Sequence, residues 1–284
     1  MGLIINTNIP SLIAQRNLRQ NTNDLNKSLE RLASGYKINR AADDAAGLSI
    51  SENLRGQIRG TEKAVGNAQD GVNILQIAES ALSVIGENLQ RIRDLTVQAA
   101  NDTNSSTERE AIAFEVQARL DDIDRIANTT KGNNVFILDG SSSQFRLQVG
   151  ANGDETSNTI NIGTVFQRST ASALGFSTGI TISAGGAYAD GTACRQFLDE
   201  IDSAITNVFG RRSALGAYQN RLESTIQSLS VTIENLRASE SRIRNVDIAS
   251  ETAILTKNQI LQQASTAILA QANQTPALAM QLLK

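Results

Sequence analysis

Ile201, Val208, Leu215, Leu222, Leu229, Leu236 and Ile243 recur every seven residues without a miss. Ile205, Ile226 and Ile233 partly fill the second seam position, and Arg212, Gln219 and Glu240 interrupt it. A heptad sustained this long predicts a helix packed as a left-handed coiled coil. Residues 196 to 243 would span roughly 70 Å at 1.5 Å per residue. The first half of the chain has a matching rhythm: Leu75, Leu82 and Leu89 alternate with Ala78, Ile85 and Ile92 and run on to about Ala99. "NDTNSSTERE" breaks it. Ser106 or Thr107 is the expected N-cap of a further helix over about 107 to 129, with Glu110 as capping-box partner of Thr107. Ile112, Val116, Leu120 and Ile123 form its apolar face.

Helix breakers are concentrated between these flanks. The prolines are Pro10 and Pro276, near the two ends, and half of the 20 glycines fall between Gly132 and Gly191. Phe145, Leu147 and Val149 alternate with polar residues, "ANGD" turns, and Ile160 and Ile162 alternate again, which predicts a hairpin. Residues 132 to 193 therefore read as a short β-rich or irregular cap. At the ends, residues 3 to 34 carry Ile9, Leu12, Leu18, Leu25, Leu29 and Leu32. Residues 246 to 283 carry Ile248, Ile254, Leu255, Ile260, Leu261, Ile268, Leu269, Leu278, Leu282 and Leu283. Each is one amphipathic stripe too polar to stand alone, so the two are expected to pair with each other, with other copies, or both. The fold class is mainly α: a long antiparallel coiled-coil rod, a small hairpin-containing cap, and paired N- and C-terminal helices.

Composition narrows the chemistry. The 284 residues suffice for one large domain or two ordinary ones. Tryptophan is absent and Phe plus Tyr number ten, which favours aliphatic seams between helices. Net charge is −3 and the pI about 5.2, so no basic field points to nucleic acid or anionic lipid. Histidine is absent, which removes Ser-His-Asp and Cys-His catalysis and the HExxH zinc helix. The single cysteine, Cys194, excludes an internal disulfide and reads as a passive surface thiol. "MGLIINTNIPSLIAQRNL" has no basic region before an apolar run, so no cleaved signal peptide is expected. No run of about 18 apolar residues predicts membrane insertion.

Asp43 and Asp44 in "NRAADDAAGLSIS" are the most conspicuous carboxylate pair. No further carboxylate lies nearby before Glu52, and Arg40 and a run of alanines surround them. Helix capping or pairing with Arg40 is the expected role. "NGDET" at 152 to 156 lacks the ligand alternation of a calcium loop and reads as a turn. The GxxxG of Gly56 to Gly60 permits close helix approach.

"INTNIPSLIAQRNL", "LERLASGYKINRAADDAAGLSISENLRGQI", "GVNILQIAESALSVIGENLQRIRDLTVQAANDTNS" and "NQILQQASTAILAQANQTP" resemble bacterial flagellin over roughly residues 1 to 165 and 195 to 284. The resemblance implies a subunit that self-polymerises into the flagellar filament for swimming. Residues 1–42 and 246–284 would be inner-core terminal helices, 43–165 and 194–245 a rod domain, and 166–193 a short variable outer segment. Leu18, Leu25, Leu29, Leu32, Ile254, Ile260, Leu261, Ile268, Leu269 and Leu282 would carry self-assembly. Arg40, Asp43 and Asp44 would fix the junction between inner and outer segments.

The resemblance further implies export of the unfolded chain through the flagellar channel to the cell exterior, with an export chaperone on 246–284. Hook-associated and cap proteins would be partners. A host Toll-like receptor would contact Gln90, Arg91, Leu95 and Glu115. No enzyme activity and no cofactor are expected. A hook–filament junction protein of the same family and a soluble coiled-coil scaffold are the competing readings.

Overall fold

The computed structural model describes residues 8–142, 144–176 and 188–282, without the side chains of 275–282. The chain is mainly α, as its periodicity requires. Five long helices dominate the described residues: α1 (Ile9–Ser34), α2 (Ala45–Ala99), α3 (Ser106–Thr129) and, later in the chain, α6 (Gly191–Arg244) and α7 (Ile248–Leu282). Between α3 and α6 lie strands β1 (Lys131–Gly132), β2 (Val135–Phe136), β3 (Arg146–Gln148) and β4 (Thr159–Asn161), with one-turn helices α4 (Glu155–Asn158) and α5 (Ala171–Leu174). Two compact units result: Met1–Gln57 with Glu234–Lys284, and Ile58–Ile233.

In the second unit α2 and α6 run antiparallel. Arg93 on α2 meets Asp202 on α6 at 2.7 Å, while Glu79 meets Arg212 at 3.8 Å, so partner numbers rise on one helix as they fall on the other. Leu75, Leu82, Ile85, Leu89 and Ile92 of α2, Val116 and Ile123 of α3, and Ile201, Val208, Leu215 and Leu222 of α6 are fully buried. This is the seam the heptads predict. Its later positions, Leu229, Leu236 and Ile243, are only half-buried.

The polar interruptions of that seam are matched across it. Glu79 accepts a hydrogen bond from Gln219 Nε2 at 3.3 Å and also faces Arg212, so one carboxylate serves two interrupting positions a heptad apart. In the other unit Glu240 lies 3.2 Å from Arg55 Nε. A polar side chain in a seam costs desolvation unless paired, and each of these has its partner on α2.

The start of α3 differs from the sequence expectation. Ser105, not Ser106 or Thr107, is the N-cap, and Glu108, not Glu110, closes the box: Ser105 Oγ accepts from Glu108 N at 3.3 Å and Glu108 Oε2 from Ser105 N at 2.7 Å. Ser105 takes the extended backbone (φ −70°, ψ 164°) that a cap needs, and the helix begins one residue after it. Arg109 then reaches back to close α2, donating to the Ala99 and Asn101 carbonyls at 3.1 and 3.3 Å.

The predicted hairpin forms as β3 and β4, antiparallel, with Leu147 opposite Ile160. Its connection is longer than a tight turn, because Asp154 of "ANGD" caps the extra helical turn α4, accepting from Thr156 N at 3.1 Å. A second hairpin, β1–β2, turns at Asn133 and Asn134 with φ 47° and 67°. Adjacent asparagines tolerate the two positive φ values of such a turn, so "GNNV" was its sequence signal.

The few aromatics cluster beside the hairpins. Phe145 meets Phe166 edge-on at 5.7 Å, Tyr188 meets Phe197 at 5.8 Å, and the Tyr188 hydroxyl lies 2.6 Å from Thr96 Oγ1. Cys194 belongs to this core and is fully buried, which corrects its reading as a surface thiol. Burial holds its pKa above the ordinary thiol value, opposite to activation. Nor does GxxxG join two helices: Gly60 faces Ala151 of the β3–α4 loop, and Gly56 faces open space.

Candidate functional site

The terminal helices are built to pair. Asn8 caps α1 by accepting from Ser11 N at 3.1 Å, Pro10 sits in the first turn, and Gly35 ends the helix in the left-handed conformation (φ 74°). Across the pair, Asn8 Nδ2 donates to the Ala272 carbonyl at 2.8 Å, Ser11 Oγ to Asn273 Oδ1 at 2.8 Å, and Asn21 Nδ2 to Ser265 Oγ at 2.8 Å. Arg31 faces Glu251 at 3.7 Å. Falling partner numbers make α1 and α7 antiparallel.

Their seam inverts the usual pattern. Among the described residues the buried ones are Ser11, Ala14 and Ser28 on α1, and Glu251, Asn258, Ser265 and Ala272 on α7, the latter spaced by seven. Of the residues expected to drive assembly, Leu18, Leu25, Leu32 and Leu269 are half-buried against this seam. Leu29, Ile254, Ile260, Leu261 and Ile268 point outward at 46, 42, 60, 38 and 60 % exposure. The Leu282 side chain lies outside the described residues. The structure thus splits the expected set into a pairing group and an outward group, which a one-stripe reading could not do.

The segment joining α1 to α2 has its own lattice of contacts. Asp43 pairs with Lys27 at 2.7 Å and accepts the Asn39 and Arg40 backbone N–H groups at 3.3 and 3.2 Å. Its pKa is lowered from 3.8 to about 2, first by the Lys27 hydrogen bond and then by the Arg40 amide. Asp44 caps α2, accepting from Gly47 N at 2.9 Å. The Arg40 guanidinium does not pair with either aspartate. It binds Glu30 at 2.9 Å, and only its backbone serves Asp43.

Sequence reasoning missed several partners here. Tyr36 bridges to Asn245, Lys37 N donates to the Arg244 carbonyl at 2.7 Å, and Val246 N donates to the Gly35 carbonyl at 3.0 Å. Arg244 stacks 4.5 Å over the Tyr36 ring and binds Glu52 at 2.8 Å. Asp247 caps α7 through Ala249 N at 3.0 Å. Only Asp247, an Asp one residue before an apolar-periodic segment, carried a local signal.

On the α2–α3 surface, Gln90 is exposed. Arg91 binds Glu115 Oε1 through both Nε and Nη2, at 3.2 and 3.1 Å. Leu95 is 3 % exposed and belongs to the core beneath them. Among the described residues no group of three or more Asp, Glu, His or Cys is placed to hold a metal, and no helix is long and apolar enough to cross a membrane.

Long seams filled by aliphatics, carboxylates used for capping and ion pairs, and terminal helices with apolar faces turned outward define a structural protein that presents helix surfaces to others. The comparisons agree. The model of the bacterial flagellin N-terminal helical region matches residues 5–143, and that of the C-terminal helical region matches 198–283. The flagellin of Halalkalibacterium halodurans is 44 % identical over 282 residues, covering 99 % of this chain and 100 % of that protein. The flagellin of Bacillus subtilis is 43 % identical over 303 residues, covering 99 % of each. A solved structure described as a flagellar hook-associated protein of Vibrio parahaemolyticus has a TM-score of 0.58, covering 72 % of this chain and 100 % of that one, at 16 % identity. That likeness shows shared fold alone, so the hook–filament junction reading is not favoured. The chain belongs to the bacterial flagellin family and is a structural subunit of the flagellar filament.

Proposed function

We propose that neighbouring copies cover the outward faces of α1 and α7, and that this burial drives polymerisation. The supporting observation is the inverted seam: Ser, Ala and Asn lie inside, while Leu29, Ile254, Ile260, Leu261 and Ile268 stand 38 to 60 % exposed. Covering one half-exposed Ile or Leu contributes about 1 kcal/mol at roughly 25 cal/mol per Å². Repeated along both helices and in every copy, that favours a filament over a lone chain.

In this reading residues 1–42 and 246–284 form the inner tube, 43–165 and 194–245 the outer rod, and 166–193 a short outer segment. Arg40, Asp43 and Asp44 hold the junction. The chain travels unfolded through the flagellar channel, and an export chaperone holds 246–284 until then. Hook-associated and cap proteins bound the filament at its ends. A host Toll-like receptor reads Gln90, Arg91 and Glu115, while Leu95 supports that surface from below. The chain works by assembly and not by catalysis, as its lack of histidine favours. It takes no cofactor, binds no nucleic acid and inserts into no membrane.

The test is seeded polymerisation of the purified chain, viewed by electron microscopy. Long filaments that vanish on deletion of residues 246–284 are the expected outcome; small discrete oligomers from the intact chain would overturn the reading. For the receptor, Arg91→Ala should lower the signalling potency of the soluble chain, and unchanged potency would remove that assignment.

A further inference from the structure

Among the described residues, every half-buried arginine but one faces a carboxylate at 2.8 to 3.9 Å: Arg31 has Glu251, Arg55 has Glu240, Arg109 has Asp102, Arg119 has Glu115, Arg212 has Glu79 and Arg244 has Glu52. The exception is Arg211, which pairs with no described carboxylate. Burial pulls its pKa below the ordinary guanidinium value, with no neighbouring acid to offset it. Arg211 Nη1 donates to the Arg168 carbonyl at 2.6 Å and to Ser169 Oγ at 2.8 Å, which fixes the plane of the guanidinium. Its Nε and Nη2 bond no described residue, and neither is sealed from solvent.

Arg211 lines a cleft of about 350 Å³ between α6 and the helical turn Gly163–Val165. Thr206, Asn207, Gly210 and Ala214 share its α6 wall, and Val165 and Gln167 stand on the other side. Arg211 is the only charged residue lining the cleft. A Cβ built on Gly210 meets nothing within 4 Å, so space lies open beside the arginine. We propose that this cleft binds a carboxylate, held by the Nε–Nη2 edge of Arg211. The site lies outside the α1–α7 surface and does not rest on the assembly reading above.

The chemistry of the lining selects this ligand. The two parallel N–H groups of the free edge match the two oxygens of a planar carboxylate. One uncompensated positive charge is neutralised by one negative charge. A doubly charged phosphate or sulfate would bring excess charge into a half-desolvated cleft whose other groups are neutral. The exposed Asn207 side-chain amide bonds no described residue and offers a further donor. Val165, 7 % exposed, and Ala214 give an apolar wall for the carbons that carry the carboxylate. A free small acid and an Asp or Glu side chain of another copy present the same group to this edge.

The first test titrates acetate into the soluble full-length chain, with chloride holding the ionic strength constant. Nuclear magnetic resonance follows the Arg211 Nε–H and the Asn207 side-chain amide. A saturable shift that chloride does not produce is expected. Arg211→Lys keeps the charge but loses the planar edge, so it should weaken acetate binding at least about tenfold. Gly210→Leu fills the cleft with a good helix former and should weaken it as much while the chain melts normally. Acetate binding unchanged in either variant would overturn the proposal. Electron cryomicroscopy of wild-type filaments then separates the sources. An Asp or Glu of another copy on the Arg211 edge identifies the neighbour as the donor; an acetate response without such a contact identifies a free acid. No acetate response and no neighbouring carboxylate would overturn the site. Failure to form filaments would overturn the assembly reading alone, and the acetate titration would still decide the cleft.

Discussion

Asp43 Oδ1 lies 2.7 Å from Lys27 Nζ, tying the link before α2 to the last turns of α1. With its pKa lowered from 3.8 to about 2, Asp43 binds its proton more weakly in the folded chain than in the unfolded one. The stability it contributes is therefore present above about pH 4 and lost as pH falls from there through about 2. Lys27 is half-exposed, so screening limits the pair to about 1 kcal/mol. Thermal melts of wild type and Asp43→Asn should differ by that amount at pH 7 and converge near pH 2.

Asp44 acts by a different route, as the cap of α2. Asp44→Ala should cost about 1 kcal/mol, and Asp44→Ser or Asp44→Asn much less, because each retains an oxygen for the Gly47 amide. Denaturant midpoints of the three variants would reveal a role beyond capping if all three lose equally.

Leu222 and Leu236 occupy the same heptad position in α6 but not the same environment. Leu222 is fully buried and Leu236 only half-buried. Leu222→Ala should cost about 2–5 kcal/mol in the soluble chain, and Leu236→Ala distinctly less. Urea unfolding of both variants checks the order.

Ile260 and Ile268 are each 60 % exposed. Replacing either by Asp should leave the melting of the soluble chain within about 0.5 kcal/mol of wild type. The same change should raise the critical concentration for filament growth at least about tenfold, since it sets an unpaired charge in a covered apolar face. Normal growth of both variants, measured by light scattering, would argue against α7 as an assembly surface.

The two glycines of GxxxG should respond with opposite sign. Gly56→Ala meets nothing within 4 Å and should gain up to about 1 kcal/mol from helix propensity. A Cβ on Gly60 would stand 2.8 Å from Ala151 Cβ and 3.2 Å from its Cα. Gly60→Ala should therefore cost about 1–3 kcal/mol by displacing the β3–α4 loop. Calorimetric melts of both variants decide it.

Much of this fold was legible along the chain, because hydrophobic period is a local property that survives without a partner. The heptads of α2 and α6, the alternation of β3 and β4, and the breaker-rich middle follow from spacing alone. So does the exclusion of histidine chemistry, which needs only a residue count.

Where two periodic elements meet is not local, and only the tertiary structure decided it. Arg212 and Gln219 read as flaws in a seam until Glu79 faces them both. Cys194 reads as a surface thiol until the aromatic cluster closes over it. Arg40 sits three residues from Asp43 in sequence, yet its guanidinium goes to Glu30 ten residues earlier. The terminal helices are the sharpest case. Their leucines and isoleucines form one stripe on paper, but packing sends Ser28, Asn258 and Ser265 inside and leaves Ile260 and Ile268 outside. Periodicity tells which residues share a face. Which face turns inward depends on the shape and hydrogen bonds of the facing helix, and that information lies some two hundred residues away.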